Sequence, residues 1–309
     1  MGKGTFYRTG RHARDNGAVP RFLLRLAYDG TCYVGWQRQL NGMSVQQRVE
    51  EALEPLAGGP ASVVGAGRTD AGVHALGQAA HVDLPHAVPA DVLVRALNSR
   101  LPADIRIRRA ELVAGDVHAR FSAVGKSYRY RWLVSRTGLP LLERDAWRVL
   151  PSLDLGAMRD AGDRLAGTHD FAGFQSTGTD IETTVRTLTS VSLCVTTVDD
   201  AAALGLGPDE YRLDLDITGT GFLRHMVRAI AGTLTDIGRG RWTAGRIDEL
   251  LRHRDRALAG PTAPAHGLTL VGVDYGSTLP SALPASIQAS QPAHAATPEE
   301  SGRAERSGR

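Results

Sequence analysis

The stretch SVQQRVEEALEPLAGGPASVVGAGRTDAGVHALGQAAHVDL, residues 44–84, changes its hydrophobic period part-way along. It begins as a helix. Ser44 and Gln47 have the spacing of a capping box, and Val45, Val49, Leu53 and Leu56 recur on one face. ASVVGA (61–66) then reads as a short apolar strand. GQAAHVDL (77–84) alternates, with Ala80, Val82 and Leu84 facing one way and His81 and Asp83 the other. Upstream, RFLLRLAYDG (21–30) has the composition of a strand. Downstream come a second helix, PADVLVRALNSRL (89–101), opened by Pro89, and the strand DIRIRRAELV (104–113), where Ile105 and Ile107 oppose Arg106 and Arg108. The order β-α-β-β-α-β predicts a ferredoxin-like unit.

The remainder repeats that order without repeating the sequence. SYRYRWLVSR (127–136) is a strand and LDLGAMRDAGDRLAG (153–167) a helix. TVRTLTSVSLCVTTV (184–198) and EYRLDLDITG (210–219) are strands joined by a turn rich in Gly and Ala. GFLRHMVRAIAGTLTDI (221–237) and TAGRIDELLRHRD (243–255) are helices, and LTLVGVDYG (268–276) is the last strand. The prediction is an α+β protein. Two ferredoxin-like halves, 21–114 and 115–276, join into a central antiparallel sheet with a catalytic cleft between them. A basic, flexible tail precedes them at 1–20. The Pro-, Ser- and Ala-rich segment 277–309 has too few large apolar residues to offset its ordering entropy and is expected to be disordered.

Composition narrows the function. The 309 residues are 42% hydrophobic and 22% charged, as in soluble globular proteins, and no apolar run approaches the ~20 residues that span a bilayer. The basic N-terminus lacks the apolar region of a secretory signal, so a cytoplasmic protein is expected. Cys32 and Cys194 are far apart, without metal-ligand spacing, and read as free thiols. The net charge is +3 and the pI near 9.1. The basic residues are almost all arginine, Lys3 and Lys126 being the two lysines, and arginine suits bidentate phosphate contacts.

The loop GAGRTDAGVHALGQ (65–78) holds four glycines and one charged pair, Arg68 and Asp70. Two phosphate-loop readings and a metal reading fail. Asp70 stands where a dinucleotide fingerprint needs its third glycine, and after Gly72 come Val73 and His74 instead of the Lys and Ser or Thr of a P-loop. The carboxylate would itself repel phosphate. His74 and His81 lack the third close ligand a metal would require. What remains is a carboxylate held on a loop stripped of bulk. A distal arginine is an attractive partner: in GFLRHMVRAIAG, Arg224 and Arg228 lie four apart on one helical face. The strand SYRYRWLV places Tyr128, Tyr130 and Trp132 on one face and Arg129 and Arg131 on the other. Such aromatics serve either core packing or base stacking.

The loop closely resembles the signature of the tRNA pseudouridine synthase A family, whose G-R-T-D-A-G-V-H-A run carries a catalytic aspartate. Further segments resemble the family in the same order: YDGTCYVGWQRQ (28–39), SVQ (44–46), LPADI (101–105), HARFSAVGKSYRYRW (118–132), GFLRHMVR (221–228) and GLTLVGVDY (267–275). The resemblance implies isomerisation of uridine to pseudouridine at positions 38, 39 and 40 of the tRNA anticodon stem-loop. It implies Asp70 as nucleophile, Tyr128 as the aromatic against the target uracil, and Arg228 as partner of the carboxylate. Arg68, Arg38, Lys126, Arg129 and Arg224 are implied RNA contacts. A homodimer is implied, with tRNA as partner and no metal, nucleotide or redox cofactor. The turn AALGLGPDE (202–210) departs from the family in being long. Two rivals belong to other classes: a tRNA-binding protein or RNA chaperone without turnover, which needs no nucleophile, and a glycoside hydrolase, which needs a second facing carboxylate.

Overall fold

The computed structural model describes residues 19–176, 182–196, 198, 201 and 204–278. The two expected tails lie outside these residues, apart from 19–20 and 277–278.

Helix α1 (Val45–Ala57) begins where its sequence says it should, with Ser44 Oγ accepting from the Gln47 amide at 3.2 Å. It ends at Gly58, whose left-handed φ of 71° lets its amide reach the Glu54 carbonyl. The N-terminal half continues through β1 (Arg21–Tyr28), β2 (Val63–Gly65), β3 (His74–Asp83), α2 (Ala90–Asn98) and β4 (Ile105–Val113). The second half contains β5 (Gly125–Val134), β6 (Trp147–Val149), α3 (Leu155–Asp163), β7 (Gly167–Asp170), β8 (Val185–Thr196), β9 (Tyr211–Gly219), α4 (Met226–Gly238), α5 (Arg246–His253) and β10 (Leu268–Asp274).

All ten strands join one sheet in the order β4-β1-β3-β10-β5-β9-β8-β7, with β2 on β3 and β6 on β5. The pairings are antiparallel except β3–β10 and β5–β6. Strand β3 shares one edge between two partners: β2 covers its far end, from Ala80 to Val82, and β10 its near end, at His74 and Ala75. That near end is the seam between the halves. Leu270 faces Ala75 on one side and Tyr128 on the other, so the start of β3 and the middle of β5 lie two strand spacings apart, ~10 Å.

The aromatic stripe of β5 is core. Tyr130 and Trp132 are fully buried, and Trp132 Nε1 donates to Thr235 Oγ1 of α4 at 3.0 Å. Strand β1 is buried on both faces, which its near-continuous apolar run allows. One cover is the segment 114–124 with Tyr275: Tyr275 Oη donates to Ala119 O, and the Ala119 amide donates to His81 Nδ1. His81 is thus buried, although alternation alone put it opposite the apolar face.

The structure corrects three readings. Strands β6 and β7, three and four residues long, were not anticipated; pairing creates them and their sequences are too short to carry a period. Strand β3 begins at His74 instead of residue 77. The helix expected over 221–237 starts at Met226, because His225 takes a left-handed φ of 61°. Arg224 therefore lies in a turn and shares no helical face with Arg228. Among the described residues, no helix is long and apolar enough to cross a membrane.

Candidate active site

Asp70 sits on the loop between β2 and β3, and that loop is pinned along most of its length. Ala66 N donates to Ala79 O at 2.7 Å, and Gln78 Nε2 donates to Gly67 O at 3.0 Å. Thr69 Oγ1 meets the buried Tyr28 hydroxyl at 2.8 Å. Gly35 bridges to Asp70, while Trp36 N donates to Thr69 O at 3.1 Å and Gly72 N to Tyr33 O at 3.3 Å. The segment after β1 is therefore paired with the loop. Gly35 has φ +113°, and a Cβ there would stand 2.5 Å from Thr69 O. Only glycine allows so close an approach. The sparse bulk of both segments is thus used for backbone-to-backbone packing around one carboxylate.

The second half supplies the partners. Arg228, in the first turn of α4, donates through Nη1 to Asp70 Oδ2 at 3.3 Å and through Nε to Ala263 O at 2.7 Å. This fork ties the Asp70 loop to the backbone after α5. His225 Nε2 also lies 3.3 Å from Asp70 Oδ2. Oδ1, by contrast, makes no hydrogen bond among the described residues, and the Asp70 side chain keeps 30% of its exposure. One oxygen is held and the other is open.

Tyr128 comes from β5, its ring edge-on to Phe222 at 4.9 Å. Burial raises the Tyr128 phenol above its ordinary value, with Tyr28 and Asp70 adding to the shift, so it is a neutral hydrogen-bonding group at ordinary pH. Lys126, two residues earlier on the same strand face, donates through Nζ to Ala66 O at 2.8 Å. Burial, with help from the charge of Arg120, lowers its ammonium to about 8.

The remaining basic residues divide. Arg68 is exposed beside Asp70, and its side chain makes no hydrogen bond or ion pair among the described residues. Arg224 is exposed in the turn before α4. Arg38 is half exposed and paired with Glu50 through Nε at 2.9 Å. Arg129 lies on the opposite face of β5 from Tyr128. Register places it directly across from Asp216, to which it donates twice, at 2.8 and 2.9 Å. The structure thus brings Arg228 onto Asp70 and Lys126 onto the backbone of the Asp70 loop, with Tyr128 on the same strand face as Lys126, and leaves Arg129 on the opposite face of the sheet, paired with Asp216.

Sequence reasoning missed His225 and Gly35. Nothing in the local pattern marks a left-handed histidine just before a helix, and Gly35 in YDGTCYVGWQRQ announces a turn but not its partner. Among the described residues no cluster of three or more His, Cys, Asp or Glu is disposed to hold a metal ion.

A carboxylate contacted through one oxygen by an arginine and a histidine, at the seam of a two-part α/β sheet, can serve chemically as a nucleophile or a base. A family model described as tRNA pseudouridine synthase matches residues 26–122 and 161–276. The tRNA pseudouridine synthase A of Syntrophotalea carbinolica is 47% identical over 252 residues, 82% of this chain and 95% of that protein. Its namesake in Paramagnetospirillum magneticum is 44% identical over 261 residues, covering 84% and 97%. That of Myxococcus xanthus is 42% identical over 266 residues, covering 86% and 96%. The chain belongs to the tRNA pseudouridine synthase family and is an enzyme of the isomerase class.

Proposed function

We propose that this enzyme converts uridine to pseudouridine in tRNA, at positions 38, 39 and 40 of the anticodon stem-loop, with Asp70 as nucleophile. The observation that carries the reading is the asymmetry of the Asp70 carboxylate: Oδ2 is held by Arg228 while Oδ1 makes no hydrogen bond among the described residues and the side chain keeps 30% exposure. The reaction breaks the bond from N1 to the ribose anomeric carbon, turns the uracil, and joins C5 to that carbon. The proton on C5 is lost and N1 gains one, so the product is an isomer and no net oxidant or reductant is consumed. Oδ1 attacks either the anomeric carbon or the pyrimidine ring. The target leaves its stack to reach the site. Tyr128 stands where it can hold the freed ring, and Arg68 and Lys126 where they can meet phosphate. Two further expectations belong to the same reading. Each half is a ferredoxin-like unit, supported by the orders β4-β1-β3-β2 and β10-β5-β9-β8. The working enzyme is a cytoplasmic homodimer, which sedimentation would check.

The test is tritium release from tRNA labelled at uracil C5, comparing wild type with Asp70→Asn beside a tRNA-binding assay. The expected result is a variant that binds normally and releases nothing. Binding by wild type without release would instead favour an RNA chaperone on this scaffold. Release by Asp70→Asn at the wild-type rate would remove Asp70 from the chemistry.

A further inference from the structure

His225 is the residue the reaction scheme above leaves unused, and several observations converge on it. Its backbone is one of three non-glycine residues with positive φ among those described, at φ 61° and ψ 4°. Histidine tolerates the left-handed region better than most residues, yet glycine would occupy it at lower energy. A strained backbone that keeps a functional side chain points to a use for that side chain. Here the turn delays the start of helix α4 to Met226 and carries the imidazole toward Asp70, with Nε2 at 3.3 Å from Oδ2. The other ring nitrogen, Nδ1, is in hydrogen-bond contact with Ser176 Oγ. Ser176 is itself fixed, its amide donating to Arg224 O at 3.2 Å.

We propose that His225 is a positioning residue for the nucleophile: with Nδ1 held by Ser176, it presents Nε2–H to Asp70 Oδ2 and, together with Arg228, fixes the carboxylate so that Oδ1 alone faces the substrate. This rests on Asp70 being the reacting carboxylate.

The tautomer follows from electrostatics. A neutral imidazole has one donor and one acceptor nitrogen. If Nδ1 carried the hydrogen, the Nε2 lone pair would face a carboxylate oxygen at 3.3 Å, which is repulsive. If Ser176 donates to Nδ1, Nε2 carries the hydrogen and both contacts are favourable. The charge state follows from what surrounds the ring. Burial lowers the imidazole from its ordinary value, and the cations Arg228, Arg224 and Arg256 act the same way, against the opposing pull of Asp70. The ring is thus a neutral donor at ordinary pH and adds no charge to the site. Two donors 3.3 Å from one oxygen are long for hydrogen bonds; such contacts tighten when substrate closes the site.

The arrangement also separates tasks. Arg228 ties Oδ2 to Ala263 O, on the C-terminal side of α4. His225 ties it to Ser176, after the short helical turn Ala172–Phe174. Two supports from different directions restrict rotation about the Asp70 side-chain torsions, which a single support cannot do.

The experiment uses chemical rescue. His225→Gly suits a φ of 61° and leaves a space that free imidazole can enter. Single-turnover tritium release, tRNA affinity and thermal midpoint are measured for wild type, His225→Gly, Ser176→Ala and Asp70→Asn, with and without imidazole. Loss of alignment at the nucleophile can slow the chemical step by ~10²-fold. The expected result for His225→Gly is a fall of that order, with tRNA affinity unchanged within ~3-fold and a saturable recovery of rate by imidazole. Ser176→Ala, which frees the ring without removing it, should slow the step by a smaller factor, ~3–10-fold. The proposal is overturned if His225→Gly turns over at the wild-type rate, or if it is slow, unrescued and accompanied by a large fall in thermal midpoint. Should His225→Gly fail to fold, a wild-type rate in folded Ser176→Ala overturns it as well. An active Asp70→Asn would refute the nucleophile assignment itself, whereas an inactive Asp70→Asn beside a fully active His225→Gly refutes the positioning role alone.

Discussion

Replacing Gly35 by alanine should disable the enzyme through a backbone contact beside Asp70. The new Cβ would lie 2.5 Å from Thr69 O, 3.1 Å from the Asp70 carbonyl carbon and 3.3 Å from the Ala71 nitrogen. An ordinary contact needs about 3.4 Å, so Thr69, next to Asp70, must retreat by ~0.9 Å. A φ of +113° is also foreign to alanine, at a cost of roughly 1–3 kcal/mol, and crowding adds to it. The total is ~2–4 kcal/mol of stability. A displacement of that size at the reacting group lowers the single-turnover rate by ~10²-fold. Gly58→Ala separates the two terms. Gly58 has φ +71° with nothing within 4 Å of the added Cβ, so it should lose only ~1 kcal/mol and keep full activity. Tritium release and denaturant unfolding on both variants make the comparison. If Gly35→Ala turned over like wild type and lost no more stability than Gly58→Ala, the close approach would not be what holds Asp70.

Arg228→Lys should slow the chemical step by ~10–100-fold at nearly unchanged tRNA affinity, because an ammonium cannot span Asp70 Oδ2 and Ala263 O in one fork; equal rates in single turnover would refute the fork. Lys126 loses its charge as pH rises through about 8, so tRNA affinity should weaken across that range, and Lys126→Met should bind with a flatter pH profile and a salt slope smaller by ~0.7–0.9. His81, held neutral by burial and lowered to about 4, binds its proton more readily in the unfolded chain, near pH 6.5. Its stabilising contribution is therefore complete above pH 6.5 and lost as pH falls toward 4, at most ~3 kcal/mol; His81→Gln should flatten thermal midpoint against pH in that window, and an unchanged curve would show that another group governs it.

Much of this was legible in the sequence where local pattern decides the outcome. The capping box at Ser44 and the apolar face through Val49 and Leu53 specify α1 with no help from the rest of the chain, and the alternation in 127–136 already separates Tyr128 from Arg129. Asp70 could be singled out because it is the lone carboxylate in a loop too small to be core. What failed depends on distant pairing. Strands β6 and β7 exist because β5 and β8 accept them. The late start of α4 depends on the left-handed turn at His225, and a pattern over Phe222, Met226 and Ile230 cannot register a single left-handed residue among helix formers. Arg129 looked free for RNA because Asp216, its cross-strand partner, is distant in sequence and adjacent only in register. The resemblance to a known family supplied Tyr128 and Arg228 as site residues, which spacing left open between core and surface roles.

The place of β10 governs when the protein can begin to work. Among the strands of the described residues it is the last to be synthesised, yet it sits in the middle of the sheet, between β3 and β5. On the ribosome, the loop with Asp70 and the strand with Tyr128 emerge long before anything joins them, and each leaves a sheet edge uncovered. Uncovered edges invite pairing with other chains, and such intermediates are prone to aggregate. Only when Leu268–Asp274 slips between them do Ala75, Leu270 and Tyr128 fall into one row. A nascent chain is therefore inert toward RNA chemistry until translation has passed this strand, and truncation ahead of it should leave an aggregation-prone fragment with no residual turnover.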